Sequence, residues 1–301
     1  MDIRLCLNPN SFPATSSEEA YQLFEDCWQG VLALNQGSDR YFLYLDTRQN
    51  HELYDFALAE SFTYEDFLSL LLANGESELY RFLMLMESKS PALDHLDDGL
   101  LEDITSYKFY MSEYAVTDSL SETLSLTYFL DAIMLSINTS SQWDNHQIDI
   151  ARIEDDGRYI DEKLMLHHIA RQEHGELLFD LFDEDDVEQL CNNTVLTDEF
   201  RHWYQDLSDE NKRRVKDKLR LACQDRLFQG GEPLFKTLSS SDGIREIRFN
   251  AYSGGAIRIL FKALNEAKHA ILLGFIKKSN SEGYDEKIPK AERLFAQLQA
   301  S

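Results

Sequence analysis

Hydrophobic and polar positions alternate most regularly near the C-terminal end, from Gly243 to Arg293. In one run Ile247 and Phe249 point one way while Glu246 and Arg248 point the other; in the next, Ile257, Ile259 and Phe261 oppose Arg258 and Lys262. Ser253-Gly254-Gly255 joins them as a hairpin turn. A third run spans His269 to Ile276 after a polar turn at Asn265-Glu266. A sheet burying one face would carry Arg248 and Arg258 together on its other face. Lys277 and Lys278 end the third run, with Tyr284 and Lys287 just beyond. Such a cationic, one-sided sheet makes RNA the first ligand to consider.

The same patterning organises the rest of the chain. Asp2 to Leu7 alternates as a strand, Ser16-Ser17-Glu18-Glu19 starts a helix carrying Tyr21, Phe24, Trp28 and Val31, and Tyr41 to Leu45 is a second strand. This β-α-β opening suits a mixed sheet. Further helices are predicted from Phe62 to Leu72 (closed by Gly75), over Glu76–Met86, Leu120–Ile137 and Lys163–Phe182, with a strand at Gln147–Ile153. The acidic run Asp183-Glu184-Asp185-Asp186 is the boundary candidate. Beyond it come a strand at Leu190–Leu196 and a helix capped by Thr197-Asp198-Glu199. A second helix follows to about Phe228, its exposed positions carrying Lys212, Arg213, Arg214, Lys216, Lys218 and Arg220, and Gly230-Gly231-Glu232-Pro233 stops it. After the three strands, a helix from Pro289 to Gln299 closes the order β-α-α-β-β-β-α. The fold class expected is an α/β N-terminal domain, residues 1–186, joined to an α+β C-terminal domain, residues 187–301.

Charge sharpens this division. The 301 residues carry a net charge of -25, yet from Val187 onward there are 19 Lys+Arg and 16 Asp+Glu, a net of +3. Met1 to Asp186 holds 10 Lys+Arg and 38 Asp+Glu, a net of -28. Such asymmetry points to two units with different tasks. An acidic unit tethered to a basic one can cover it or imitate its nucleic-acid ligand. No apolar run reaches the ~20 residues of a membrane span, no signal peptide is recognisable, and Cys6, Cys27, Cys191 and Cys223 form no CxxC. A reduced, cytoplasmic protein without membrane contact is expected.

Other residues carry less. His167, His168 and His174 with Glu173 fall on the predicted Lys163–Phe182 helix but lack metal-binding spacing, so no metal or cofactor is expected. The stretch Ser140 to His146 reads as a connector.

The C-terminal residues are similar in order and spacing to the RelE/HigB superfamily of bacterial toxin ribonucleases, closest to its HigB-like branch. The resemblance rests on Thr197-Asp198-Glu199-Phe200 with Trp203, then Leu207, Gly231 to Leu238, and Arg245-Glu246-Ile247-Arg248. It continues through Arg258-Ile259-Leu260-Phe261, Gly274, Lys277 and Tyr284 to Ala291, and covers about the last 115 residues. It implies a RelE-like, microbial-ribonuclease-like fold and cleavage of mRNA on the ribosome. It also implies an antitoxin partner, of helix-turn-helix type, unless the N-terminal domain inhibits in cis. In this chemistry the 2'-hydroxyl attacks the adjacent phosphate to leave a 2',3'-cyclic phosphate, so the site supplies a base, an acid and positive charge. By resemblance Arg248 and Arg258 stabilise the phosphate, Lys277 assists, and Tyr284 stacks on a base or moves a proton. Lys278, Lys287 and Arg245 are the substrate-binding candidates. A lysine acts as base only with a lowered pKa, which the Lys277-Lys278 pair would favour. His269, at the start of its strand, lies too far away to serve.

The expected function is a toxin-type, metal-independent endoribonuclease fused to an acidic regulatory domain, suited to translation arrest in stress or phage defence. The alternative is an RNA- or ribosome-binding regulator without cleavage.

Overall fold

The computed structural model describes residues 2–35, 39–46, 53–111, 114–154, 164–183, 187, 190, 194–224, 228, 235–239, 241–252, 254–265, 268–277 and 283–300. The chain divides into two compact units, the first made of Met1–Ile160 with Leu164–Asp183, the second including Glu184–Ser301.

In the first unit the elements run β1 (Asp2–Leu7), α1 (Ser17–Ala33), β2 (Arg40–Tyr44), β3 (Ala57–Ala59), β4 (Phe62–Thr63), α2 (Tyr64–Asn74), α3 (Ser77–Leu85) and β5 (Glu87–Lys89). Then follow α4 (Asp98–Thr105), β6 (Tyr107–Met111), α5 (Asp118–Leu130), β7 (Ile133–Leu135), β8 (Gln147–Glu154), β9 (Leu164–Ile169) and α6 (Gln172–Asp183). Seven strands form one sheet in the order β5-β2-β1-β7-β9-β8-β6. β1 is parallel to both β2 and β7, so the chain winds outward from β1 in two directions. One face is covered by α1, α2, α3 and α6, around Phe24, Trp28, Phe67 and Leu178. The other lies under α4 and α5, through Ile104, Leu126 and Leu130. No helix among the described residues is long and apolar enough to cross a membrane.

Local chemistry explains the helix ends. The Ser16 side chain accepts from Glu19 N to start α1, Thr63 and Asp66 form a reciprocal capping box at α2, and Gly75 ends α2 at φ 86°. Helices α1 and α6 cross with their backbones in contact at Gly30 and Gly175: a Cβ on Gly175 would lie 1.8 Å from the Gly30 carbonyl oxygen. Gly175→Ala would gain about 1 kcal/mol of helix propensity. The overlap with rigid backbone is expected to outweigh this and cost the first unit about 2 kcal/mol net. A lowered urea midpoint for that unit checks the prediction; an unchanged or raised midpoint refutes it.

Two predicted helices are corrected. The Leu120–Ile137 stretch is α5 followed by strand β7, because Asp131 adopts φ 51° and ends the helix after Leu130. A continuous apolar run suits a buried helix and a buried parallel strand equally well, so hydrophobicity alone does not divide it. In Lys163–Phe182 only α6 is helical. Leu164, Leu166 and His168 alternate inward on β9, so His167 and His168 lie on a strand and His174 on a helix. Lys163 lies outside the described residues.

The second unit comprises β10 (Thr194–Leu196), α7 (Asp198–Gln205), α8 (Asp209–Gln224), β11 (Phe235–Thr237), β12 (Arg245–Asn250), β13 (Ala256–Ala263), β14 (His269–Lys277) and α9 (Tyr284–Ala300). Its sheet order is β10-β14-β13-β12-β11. The short β11, unforeseen because it is three residues long, adds a strand to the predicted β-α-α-β-β-β-α order. Of the strand expected at Leu190–Leu196, Thr194–Leu196 is observed; residues 191–193 lie outside the described set, as do 184–186 of the acidic boundary run, 230–233 of the stop signal, and Glu266.

The one-sided sheet is also corrected. Ile247, Phe249, Ile257, Ile259 and Phe261 pack with Phe200 and Val215 of α7 and α8. On the opposite face Leu260, Leu273 and Phe275 meet Ile288, Ala291 and Phe295 of α9. Both faces are therefore buried, because α9 begins at Tyr284 rather than Pro289 and carries Pro289 within it. Proline inside a helix is costly; burial of Ile288 and the contacts of Tyr284 offset that cost. The α8 cations are less exposed than expected: Lys216 is buried, Arg220 pairs with Asp217 at 3.4 Å, and Arg214 lies 5.9 Å from the Tyr252 ring centroid. Cys6 and Cys27 are buried free thiols, whereas Cys223 is disulfide-bonded, which corrects the all-thiol expectation at that position. Sequence spacing does not reveal such a pairing, because the fold alone brings the sulfurs together.

Candidate functional site

The hairpin of β12 and β13 places its cations by register. Gly254 and Gly255, with φ of 87° and 85°, form the described part of the turn, and Ser253 lies outside the described residues. Pairing then sets Arg248 directly opposite Arg258, and Arg258 opposite Phe275 of β14. One row further lie Ala256 and Lys277; on the other side lie Glu246, Leu260 and Leu273. Side chains two apart on a strand share a face, so Glu246, Arg248, Arg258 and Lys277 belong to one face of the sheet.

Tyr284, the first residue of α9, closes over this row. Its hydroxyl donates to Glu246 Oε2 at 2.6 Å and accepts from Arg258 Nε at 3.3 Å. Arg258 Nε is also 3.7 Å from Glu246 Oε2, and its Nη1 donates to the Ile257 carbonyl at 2.9 Å. Phe275 meets the Tyr284 ring edge-on at 5.7 Å, and Lys277 Nζ lies 4.7 Å from its centroid. Burial first, and the Glu246 carboxylate second, push the Tyr284 phenol up to about 12. It therefore remains protonated near neutrality, as its hydrogen bond to Glu246 requires. The Glu246 side chain is 3% exposed and that of Arg258 16%, so their hydrogen bonds are held in a setting that strengthens them.

Four expected residues, Arg248, Arg258, Lys277 and Tyr284, thus share one cluster. Lys287 lies one turn along α9 from Tyr284 and is half-buried. Lys278 lies outside the described residues. Arg245 is elsewhere. It faces the α7–α8 side, donates to the Phe228 carbonyl at 2.7 Å, and lies over the rings of Phe235 and Phe261 at 5.1 and 5.6 Å. That is a packing role rather than the substrate contact expected. His269 stacks on Phe228 at 5.1 Å and stands at the far end of β14 from Lys277, about 26 Å along the strand. Burial, then Arg245, lowers its pKa.

Glu246 is absent from the site residues expected from the sequence, where it is named only beside Arg248 on the polar side of its strand. Its position two residues from Arg248 was the available signal, since both share a face. Among the described residues no group of three His, Cys, Asp or Glu could hold a metal.

The opposite face of the sheet is tightly closed by α7. Gly274 of β14 lies under Trp203 of α7, and a Cβ there would fall 2.2 Å from the indole ring. The Thr197 side chain caps α7 and donates to the Leu272 carbonyl, fixing that helix to β14. No curated protein matches the chain. Residues 202–296, from within α7 to within α9, match the family model described as "Phage derived protein Gp49-like (DUF891)". The second unit accordingly carries a Gp49-like, phage-derived domain, from a family of RelE/HigB-type toxin relatives.

Proposed function

We propose that the second unit is a metal-independent endoribonuclease toxin of the HigB-like branch, acting on mRNA at the ribosome. The observation that carries this reading is the Arg258–Tyr284–Glu246 hydrogen-bonded row with Arg248 in cross-strand register. Glu246 takes the 2'-hydroxyl proton, through the Tyr284 hydroxyl, as O2' attacks phosphorus. Arg248 and Arg258 receive the charge that grows on the non-bridging oxygens, which their planar forks suit. Lys277, beside Tyr284, donates a proton to the departing 5'-oxygen, leaving a 2',3'-cyclic phosphate and a 5'-hydroxyl. Lys278 and Lys287 would extend the phosphate-binding surface. Restraint comes from a helix-turn-helix antitoxin or from the acidic first unit, and the setting is cytoplasmic.

One observation favours the second reading, RNA or ribosome binding without cleavage: Arg258 already faces the Glu246 carboxylate at 3.7 Å. Induced expression separates the two. The full chain, residues 187–301, and the same fragment with Arg248→Ala and Arg258→Ala are compared for growth and for new mRNA 5' ends. Arrest with cleavage by the fragment, lost in the double variant, supports the nuclease. A folded fragment that leaves mRNA intact but sediments with ribosomes supports binding alone.

A further inference from the structure

The first unit contains a cavity of about 720 Å3 under α4 and α5. That volume lies within the range of small-molecule sites. Asp46 and Pro91, two residues past the ends of β2 and β5, line it at the carboxyl end of these parallel strands. Open α/β sheets bind ligands outside the carboxyl ends of their strands. Its floor is apolar, from Leu101, Ile104 and Leu126, with Tyr107 at the side. Among the described residues that line it, Asp46, Asp94, Asp118 and Glu122 outnumber the one cation, Lys108. Asp118 and Glu122 are four apart on α5, where like charges repel. Ser121 accepts from Phe109 N at 2.8 Å, which leaves its hydroxyl hydrogen to donate.

We infer that this cavity binds a small organic cation, a protonated amine on an apolar body. The amine sits among the four carboxylates, and the apolar body covers Leu101, Ile104 and Leu126. Size and apolar floor call for an organic ligand, and the charge balance selects a cation over an anion or nucleotide. This site is separate from the proposed nuclease chemistry and stands without it.

Isothermal titration calorimetry on the full chain tests it with tryptamine, phenethylamine and spermidine, and with indole-3-propionate as an anion on a similar body. At least one amine is expected to bind below millimolar concentration, with indole-3-propionate at least tenfold weaker. Asp118→Asn with Glu122→Gln should weaken the amine at least tenfold, whereas Glu65→Gln with Glu78→Gln, distant from the cavity, should not. Lys108→Met should tighten it, a gain that misfolding cannot produce. No amine binding below millimolar, equal binding of amine and anion, or equal effects of the two carboxylate pairs would overturn the proposal.

Discussion

Arg258→Ala is expected to lower RNA cleavage by about two to three orders of magnitude, the usual loss when one preorganised oxyanion donor is removed. It also strands Glu246, which is 2% exposed, without its cation. Breaking a buried pair from one side costs roughly 3–5 kcal/mol. Activity loss in this variant alone would therefore be ambiguous. Glu246→Gln resolves the ambiguity, because it keeps the shape, still accepts from Tyr284, and removes the base. It should slow cleavage about 100-fold or more while costing less stability than Arg258→Ala, because Arg258 is the more exposed partner and keeps its bonds to Tyr284 and the Ile257 carbonyl. Arg258→Lys should restore much of the stability but little of the rate, since an ammonium lacks the planar fork. Single-turnover cleavage of a short RNA, read beside thermal melting, gives both quantities. Full cleavage by a folded Glu246→Gln protein would remove Glu246 from the mechanism.

Acid is expected to unfold the first unit well before the carboxylates of its surface are fully protonated. His168 is completely buried and its pKa is pushed down to about 3, first by burial, with His174 and His146 adding to it against the Asn145 carbonyl. His174 is pushed down to about 4, again by burial first and then by Arg171 and His146, against Asp144 and Glu173. Both imidazoles are neutral in the folded state, while in the unfolded chain each takes up a proton near pH 6.5. The unfolded state thus binds more protons between about pH 6.5 and 4. Stability is fully present above that window and falls as pH drops through it, by up to about 1.4 kcal/mol per pH unit for each histidine. His168→Asn, whose amide nitrogen falls near the Nδ1 position and can still donate to the Asn145 carbonyl 2.6 Å from Nδ1, should lose stability at neutral pH but show a shallower decline toward acid. Urea midpoints at pH 7.5 and pH 5 measure that slope; identical slopes in the two proteins would show that His168 does not control it.

How much of this was legible depends on the scale of the signal. The hairpin of β12 and β13 was readable because period-2 alternation and a Gly-Gly turn act over a few residues, and their register alone places Arg248 against Arg258. What covers that row was not readable. The role of Tyr284 depends on α9 starting ahead of Pro289, which local propensity opposes and tertiary contacts to Glu246 and Phe275 impose. Arg245 shows the converse. Its alternation with Ile247 and Phe249 already pointed it into the core, and its cationic character alone had kept it among the substrate contacts. In the first unit, Leu120–Ile137 misled because burial on both sides erases periodicity; the break at Asp131 is a single backbone angle.

The sheet order of the second unit also bears on synthesis. β14 lies between β10 and β13, so the last strand of this unit is an interior strand, and β10, its first, has β14 as its neighbour in the sheet among the described residues. Pairings of such long sequence separation form late. A nascent or prematurely terminated chain lacking the final thirty or so residues has the two arginines but neither a completed sheet nor Tyr284. On the proposed nuclease reading, the site is therefore finished only once β14 and the first turn of α9 have been made.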